Sequence, residues 1–237
     1  MKNFKIFFNI SVATFLLLSI SGVIPKSKKG FSCNDDSIRY PYLGDTITPI
    51  QLFTILLFFP TTVIILNELN YPSTQRVVKS SIKYYLIGFL YVYAITEVLK
   101  HYVTGLRPHF LHTCMPEWSN INCSISDTIS QFICTGSSHL VHSDIYKSFP
   151  SGHSSLSCFA LVFLKKYCKR IKINHLYWLI FLSFLLWTLG CCITRIYDHR
   201  HHWWDVVGGM SLGIITGWFM VNKFNTQATS GLPASLL

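Results

Sequence analysis

Charge is scarce in this chain: 13% of its 237 residues are charged, with ten acids against twenty bases, while half are hydrophobic. So little charge excludes an ordinary soluble domain. Carboxylates are too few to offer a cluster of hard-metal ligands, and the cysteines show no zinc-type spacing. No internal repeat is present, which excludes a stacked-repeat array. What the sequence has instead is long charge-free runs: Ile6 to Ile24, Thr46 to Asn67, Tyr84 to Thr96, Ser151 to Leu164, Ile173 to Ile193 and Val206 to Asn222. A helix crosses the ~30 Å hydrocarbon core with roughly 20 apolar residues, and snorkelling ends extend the shorter runs. The expected architecture is an all-α membrane protein of six transmembrane helices, residues 1–237 forming one domain.

The formal charge of +10 suits nucleic acid or anionic lipid, and its placement favours the membrane. Lys165, Lys166, Lys169, Arg170 and Lys172 crowd one short connection, and Lys2 and Lys5 agree with Arg76, Lys79 and Lys83. The positive-inside rule makes 68–83 and 165–172 cytoplasmic loops and puts both termini on that side. Outer loops then cover about 25–45, 101–150 and 194–205, although Lys26, Lys28 and Lys29 run against the rule. Residues 1–24 also read as a secretory signal, with Ser19-Ile20-Ser21 as a cleavage site. Either reading puts Pro25 onward outside. No nucleic-acid partner is expected.

Cys33, Cys114, Cys123 and Cys134 fall in the outer loops, where an oxidising compartment permits disulfides, and four cysteines allow three pairings. Asn122-Cys123-Ser124 is a glycosylation acceptor pattern in the same compartment. Gly209, Gly213 and Gly217 leave one face of the last helix bare, which serves packing within the chain or a homo-oligomer equally.

Three polar clusters lie at membrane boundaries, all on the expected outer side. KHYVTGLRP holds Lys100 and Arg107, two cations that suit an anion, or else a snorkelling pair. Pro150-Ser151-Gly152-His153 opens a helix, where unpaired amides and the dipole favour an anion; the same tetrapeptide also serves as a simple cap. TRIYDHRHHWWD holds Arg195, His201 and Asp205: a fork-shaped phosphate donor, a nucleophile or base, and a carboxylate four residues later, sharing its helical face. A metal at His199, His201, His202 and Asp205 is the competing reading, disfavoured by the cations around it.

Lys100-x6-Arg107-Pro108, Pro150-Ser151-Gly152-His153 and Arg195-x5-His201-x3-Asp205, in this order, resemble the three signature motifs of the type 2 phosphatidic acid phosphatase superfamily. Phe31 to Tyr42 and Arg107-Pro108-His109-Phe110-Leu111 look like its animal lipid phosphate phosphatase branch, and the likeness spans about residues 30–222. One departure is Thr194, where the family usually has serine. The resemblance implies an enzyme that hydrolyses lipid phosphate monoesters such as phosphatidate, lysophosphatidate, sphingosine 1-phosphate or ceramide 1-phosphate, without magnesium or another cofactor. It makes His201 the nucleophile, Asp205 the group holding its ring, and His153 the proton donor. Lys100, Arg107, Ser151, Gly152 and Arg195 become the phosphate-binding set, with no metal ligands. The implied setting is the plasma membrane, or an internal membrane with a luminal active site. The alternatives are a non-catalytic membrane scaffold and a transporter with a basic vestibule.

Overall fold

The computed structural model describes residues 30–70, 75–124, 126–136, 144–170 and 175–229. Among the described residues six α-helices carry the architecture: α1 (Pro49–Asn70), α2 (Gln75–Val103), the short α3 (Phe110–Cys114), α4 (Gly152–Arg170), α5 (His175–Tyr197) and α6 (Trp203–Thr229). Two two-residue strands, β1 (Phe31–Ser32) and β2 (Thr128–Ile129), pair antiparallel. Among the described residues, four helical spans are long and apolar enough to cross a membrane: Pro49–Leu66, Lys79–Val103, Trp178–Tyr197 and Trp203–Lys223. The protein is therefore a helical, integral membrane protein. The expected first helix, Ile6 to Ile24, lies outside the described residues, as do Lys172 and most of the C-terminal tail.

The fourth expected span, Ser151 to Leu164, forms as α4, yet it falls short in hydropathy. It carries Ser154, Ser155 and Ser157 in its first turns and Lys165 and Lys166 near its end. Its sides are occupied by protein: Leu156, Phe159, Phe163 and Tyr167 are buried, as are the three serines. A helix enclosed by other helices has no need of a lipid-compatible surface.

The chain divides into two compact units built from interleaved segments. One, the helical unit, comprises 47–93, 152–193 and 209–237; the other, the polar unit, comprises 1–46, 94–151 and 194–208.

In the helical unit, Pro49 sits at the first position of α1, where its missing N–H is no loss. Pro60, inside the same helix, deprives the Leu56 carbonyl of its intrahelical donor. Tyr85 of α2 fills that vacancy, its hydroxyl donating to Leu56 O at 2.5 Å. A neighbouring helix thus satisfies the backbone group freed by proline, as membrane interiors require. The Tyr85 ring then stacks on Phe159 of α4, centroids 5.6 Å apart.

The glycine face of α6 packs within the chain. A Cβ on Gly213 would lie 2.1 Å from the Ser155 carbonyl oxygen, and one on Gly217 3.1 Å from Phe159 O, so α6 approaches the backbone of α4 directly. Gly190 of α5 has nothing within 4 Å of such a Cβ. Gly213→Ala is expected to lower the melting temperature in detergent, because α4 and α6 must separate. Gly190→Ala should leave it unchanged or raise it, alanine being the better helix former by about 1 kcal/mol. Equal effects at the two positions would refute this account of the glycine face.

The polar unit has its own apolar centre of Phe31, Ile38, Phe110, Leu111, Cys114, Ile145 and Tyr146. Phe31 meets Phe110, Trp118 and Phe132 in tilted or edge-to-face contacts. Of the three pairings open to the four outer cysteines, the structure has Cys33–Cys123 and Cys114–Cys134. Cys33–Cys123 ties the 104–151 connection to residues 30–38, and Cys114–Cys134 closes a loop within that connection, compensating for a small core. Asn122 is exposed, its Oδ1 accepting from Ser124 N–H at 3.0 Å, and the Cys123 between them is the disulfide partner of Cys33.

Candidate active site

Helix α5 ends at Tyr197, two residues after Arg195. Asp198 N–H still reaches Thr194 O at 2.8 Å, but His199 adopts a left-handed backbone, φ 54°, and turns the chain. The Arg195 carbonyl accepts from both Arg200 and His201 amides, at 3.0 and 3.1 Å, which closes the reversal. Helix α6 begins at Trp203, with Asp205 in its first turn. The Asp205 carboxylate reaches back to the His202 amide at 2.9 Å, the acidic half of a capping box.

This local geometry corrects the expected helical pairing of His201 with Asp205. His201 precedes α6, so the two do not share a helix face. Its Nδ1 stands 3.9 Å from Asp205 Oδ2, within ion-pair range but beyond a hydrogen bond, whereas Ser148 O lies 2.7 Å away. A carbonyl oxygen only accepts, so Nδ1 carries the proton and Nε2 the lone pair. Among the described residues Nε2 has no hydrogen-bond partner. Burial, reinforced by Arg107, holds His201 down to about 3 against the opposing pull of Asp205, so the ring is neutral at physiological pH.

Residues of the first and third clusters are joined by backbone hydrogen bonds within the polar unit. Residues 144–151 lie between the first and third clusters. Ser148 N–H bonds Gly105 O at 3.1 Å, Arg107 N–H bonds Ile145 O at 3.0 Å, and Ser151 N–H bonds Asp205 O at 3.0 Å. A single backbone segment thus joins KHYVTGLRP to HHWWD. A Cβ on Gly105 would meet Ser148 at 3.4 Å, an ordinary contact, so the backbone hydrogen bonds and not the glycine hold this approach. Gly152 and His153 follow directly in sequence but belong to the helical unit, where His153 Nε2–H donates to Ile47 O at 3.0 Å.

The cations of the clusters are accompanied by carboxylates. Lys100 pairs with Glu97 at 2.8 Å. Arg107, 4% exposed, gives Nε to Asp144 O, Nη1 to Arg200 O and Nη2 to Asp144 Oδ1. Arg195, 1% exposed, gives Nη1 to Asp45 at 2.7 Å and Nη2 to Asp198 at 2.8 Å. Arg200 reaches Asp45 Oδ1 at 3.1 Å and the second oxygen of Asp144. Cations buried this deeply need carboxylates whether or not a ligand is bound. Burial alone would raise Asp144, but Arg107 and Arg200 outweigh it and hold it well below the usual carboxylate range. Burial lowers Arg107 to about 10, which leaves it charged at neutral pH.

Sequence reasoning missed Ser148, Asp45, Asp144, Asp198, Arg200 and His109. His109 is neutral, brought down to about 3 by burial and by Arg107 and Arg200; Nδ1 faces Thr113 Oγ1 at 2.7 Å and Nε2 accepts from Arg200. The signals on offer were that Arg200 and Asp198 stand inside the third cluster and that His109 follows Arg107-Pro108. Of the other histidines, His202 touches Asp205 Oδ2 at 3.3 Å, and His199 donates to Pro41 O at 3.1 Å. No group of three or more His, Cys, Asp or Glu among the described residues is placed to hold a metal ion.

Two buried guanidinium nitrogens of the site make no hydrogen bond among the described residues, Arg195 Nε and Arg200 Nε, and of these Arg200 Nε still has Asp45 Oδ1 at 3.1 Å. An orphaned buried donor costs on the order of 1–3 kcal/mol. An acceptor oxygen arriving from outside the chain would remove that cost.

Fold and site together define an integral membrane protein whose polar unit holds a neutral histidine amid buried, paired arginines. The chain belongs to the PAP2 superfamily, whose family profile matches residues 81–228. It is 32% identical over 209 residues to phospholipid phosphatase 2 of Bos taurus, covering 79% of this chain and 70% of that protein. Phospholipid phosphatase 1 of Mus musculus is 32% identical over 204 residues, 78% and 71% of the two chains. Phospholipid phosphatase homolog 1.2 homolog of Caenorhabditis elegans is 32% identical over 275 residues, 97% and 78% of the two. No solved structure matches the chain.

Proposed function

We propose that this protein is a lipid phosphate phosphatase that cleaves phosphate monoesters such as phosphatidate, lysophosphatidate, sphingosine 1-phosphate or ceramide 1-phosphate through a phosphohistidine intermediate. The observation that carries this reading is His201: a neutral imidazole with Nδ1–H tied to Ser148 O and an unbonded Nε2. That is the state a nitrogen nucleophile needs. Family membership and the names of the relatives agree with it.

Nε2 attacks phosphorus in line, and the leaving alkoxide takes a proton from His153. His153 then removes a proton from the water that cleaves the phosphorus–nitrogen bond, restoring His201 and releasing phosphate. Arg195 Nε supplies a donor with no competing partner, and Arg107, Lys100, Ser151 and Gly152 complete the phosphate-binding set. Arg107 and Arg195 keep their carboxylate partners, which position the guanidinium groups before substrate arrives. Fixed cations take the charge-stabilising part that magnesium plays in kinases, so the reaction is magnesium-independent. Asp205, 3.9 Å from Nδ1, stabilises the ring once it becomes cationic. The substrate's chains stay in the bilayer on the outer or luminal side, at the plasma membrane or an internal one.

The test is phosphate release by the purified protein in detergent from a panel of these four lipids with a chelator present. Release should survive chelation, and His153→Ala should reduce it about 100-fold or more. Release restored only by magnesium would overturn the metal-independent reading. Absence of release from every lipid, with ion flux in vesicles, would favour a transporter.

A further inference from the structure

Ser148 belongs to none of the three motifs, yet every polar atom it has is engaged with a residue of the first or the third polar cluster. It is 1% exposed. Its N–H donates to Gly105 O at 3.1 Å, its carbonyl accepts from His201 Nδ1–H at 2.7 Å, and its hydroxyl donates to Asp205 Oδ2 at 2.5 Å. Asp205 Oδ2 also accepts the His202 amide at 2.9 Å and faces His202 Nδ1 at 3.3 Å. One oxygen therefore meets three groups and is held 3.9 Å from the His201 ring.

We propose that Ser148 is the positioning residue of the nucleophile: its carbonyl sets the tautomer and direction of His201, and its hydroxyl keeps the Asp205 carboxylate from bonding that ring directly. This rests on the reading of His201 as nucleophile and sharpens it. The chemistry differs from a histidine bonded straight to a carboxylate. A neutral carbonyl fixes Nδ1–H as firmly but favours the protonated ring far less, so Nε2 stays bare at acidic pH. Asp205 remains near enough to stabilise the cationic ring of the intermediate without claiming the proton beforehand. The Ser148 N–H to Gly105 O bond and the adjacent Gly105–Lys147 bridge hold the Ser148 backbone, and with it the carbonyl that the ring meets.

The charged and titratable groups around His201 are Asp205 and His202 from the start of α6, Lys100 from the end of α2, Arg107, and Asp144. Of these, only Asp205 is bonded to the Ser148 hydroxyl. Ser148→Ala keeps the backbone carbonyl but frees Oδ2 to close on Nδ1. The expected result is a kcat about tenfold lower with KM within about twofold, and an acid limb of the kcat profile moved up by about one pH unit relative to wild type. Ser148→Thr, which retains a hydroxyl, should restore the wild-type limb and most of kcat; it also carries the test if the alanine variant melts early.

A wild-type kcat and acid limb in Ser148→Ala would overturn the proposal. So would a lower kcat with an unmoved limb that threonine does not rescue, since that describes packing alone. His201→Ala measured beside them separates the two layers. If it retains phosphate release, the nucleophile reading fails; if it is inactive while Ser148→Ala behaves as wild type, only the role of Ser148 fails.

Discussion

His201→Ala is expected to reduce phosphate release by at least about 1000-fold, the loss typical of removing a nucleophile while the surrounding charge stabilisation remains. The geometry leaves little room for a substitute. His202 is turned toward Asp205 and Ser37 O, His199 lies against Pro41 O, and His109 bonds Thr113 and Arg200. Brief exposure of wild type to substrate labelled at phosphorus should leave an acid-labile, alkali-stable label on the protein, as a phosphoimidazole does, and His201→Ala should carry none. The cost in stability is small by comparison: the Ser148 carbonyl loses one donor, about 1–3 kcal/mol. Near-normal turnover in a folded His201→Ala protein would remove the nucleophile assignment.

The second large effect is on stability and comes from a residue outside every motif. Asp144 presents one oxygen to Arg107 and the other to Arg200, both nearly inaccessible to water. Asp144→Ala leaves two buried guanidinium groups facing one another through the lost carboxylate, and breaking such a pair costs about 3–5 kcal/mol. Buried free thiols at Cys158, Cys168, Cys191 and Cys192 give the readout, since a thiol-reactive dye labels them as the protein unfolds. The melting temperature should fall by more than about 5 °C. The pH dependence has a definite sign. A carboxyl held below its ordinary value of about 3.9 contributes stability that is fully present above that pH and is lost as pH falls below it. Wild type should therefore lose stability below about pH 4, and Asp144→Ala should lose less over the same interval. A melting temperature unchanged by the substitution would mean that the two arginines are held by other contacts.

Much of the site was legible because its chemistry is written in residue type and spacing. Arg195, His201 and Asp205 are separated by one short turn between two helices, and that local length is visible in the chain. What the spacing suggested about their contact was misleading: four residues apart reads as one helical face, but the left-handed His199 and the start of α6 at Trp203 put His201 in the turn. The partners of the arginines were hidden for a different reason. Asp45 and Asp144 lie 150 and 56 residues from the cations they meet, Arg195 and Arg200, and carboxylates at such separations carry no periodic signal. Ser148 was hidden further still, since two of its three contacts use its backbone, which every residue has.

By itself the sequence determined the membrane-embedded helical class, through charge-free runs that water cannot solvate, and the three polar clusters, through residue types needed for anion chemistry. It also determined that four cysteines fall in the connections 25–45 and 101–150, outside the long charge-free runs, though not how they pair. Only the tertiary structure decided the Cys33–Cys123 and Cys114–Cys134 pairing, the satisfaction of Leu56 O by Tyr85, and the enclosure of the serine-bearing α4. It alone decided that a carbonyl rather than a carboxylate bonds the His201 ring. Hydropathy and motif spacing are properties of neighbours along the chain, whereas a buried charge or an unpaired carbonyl is satisfied by whichever group folding brings within about 3 Å.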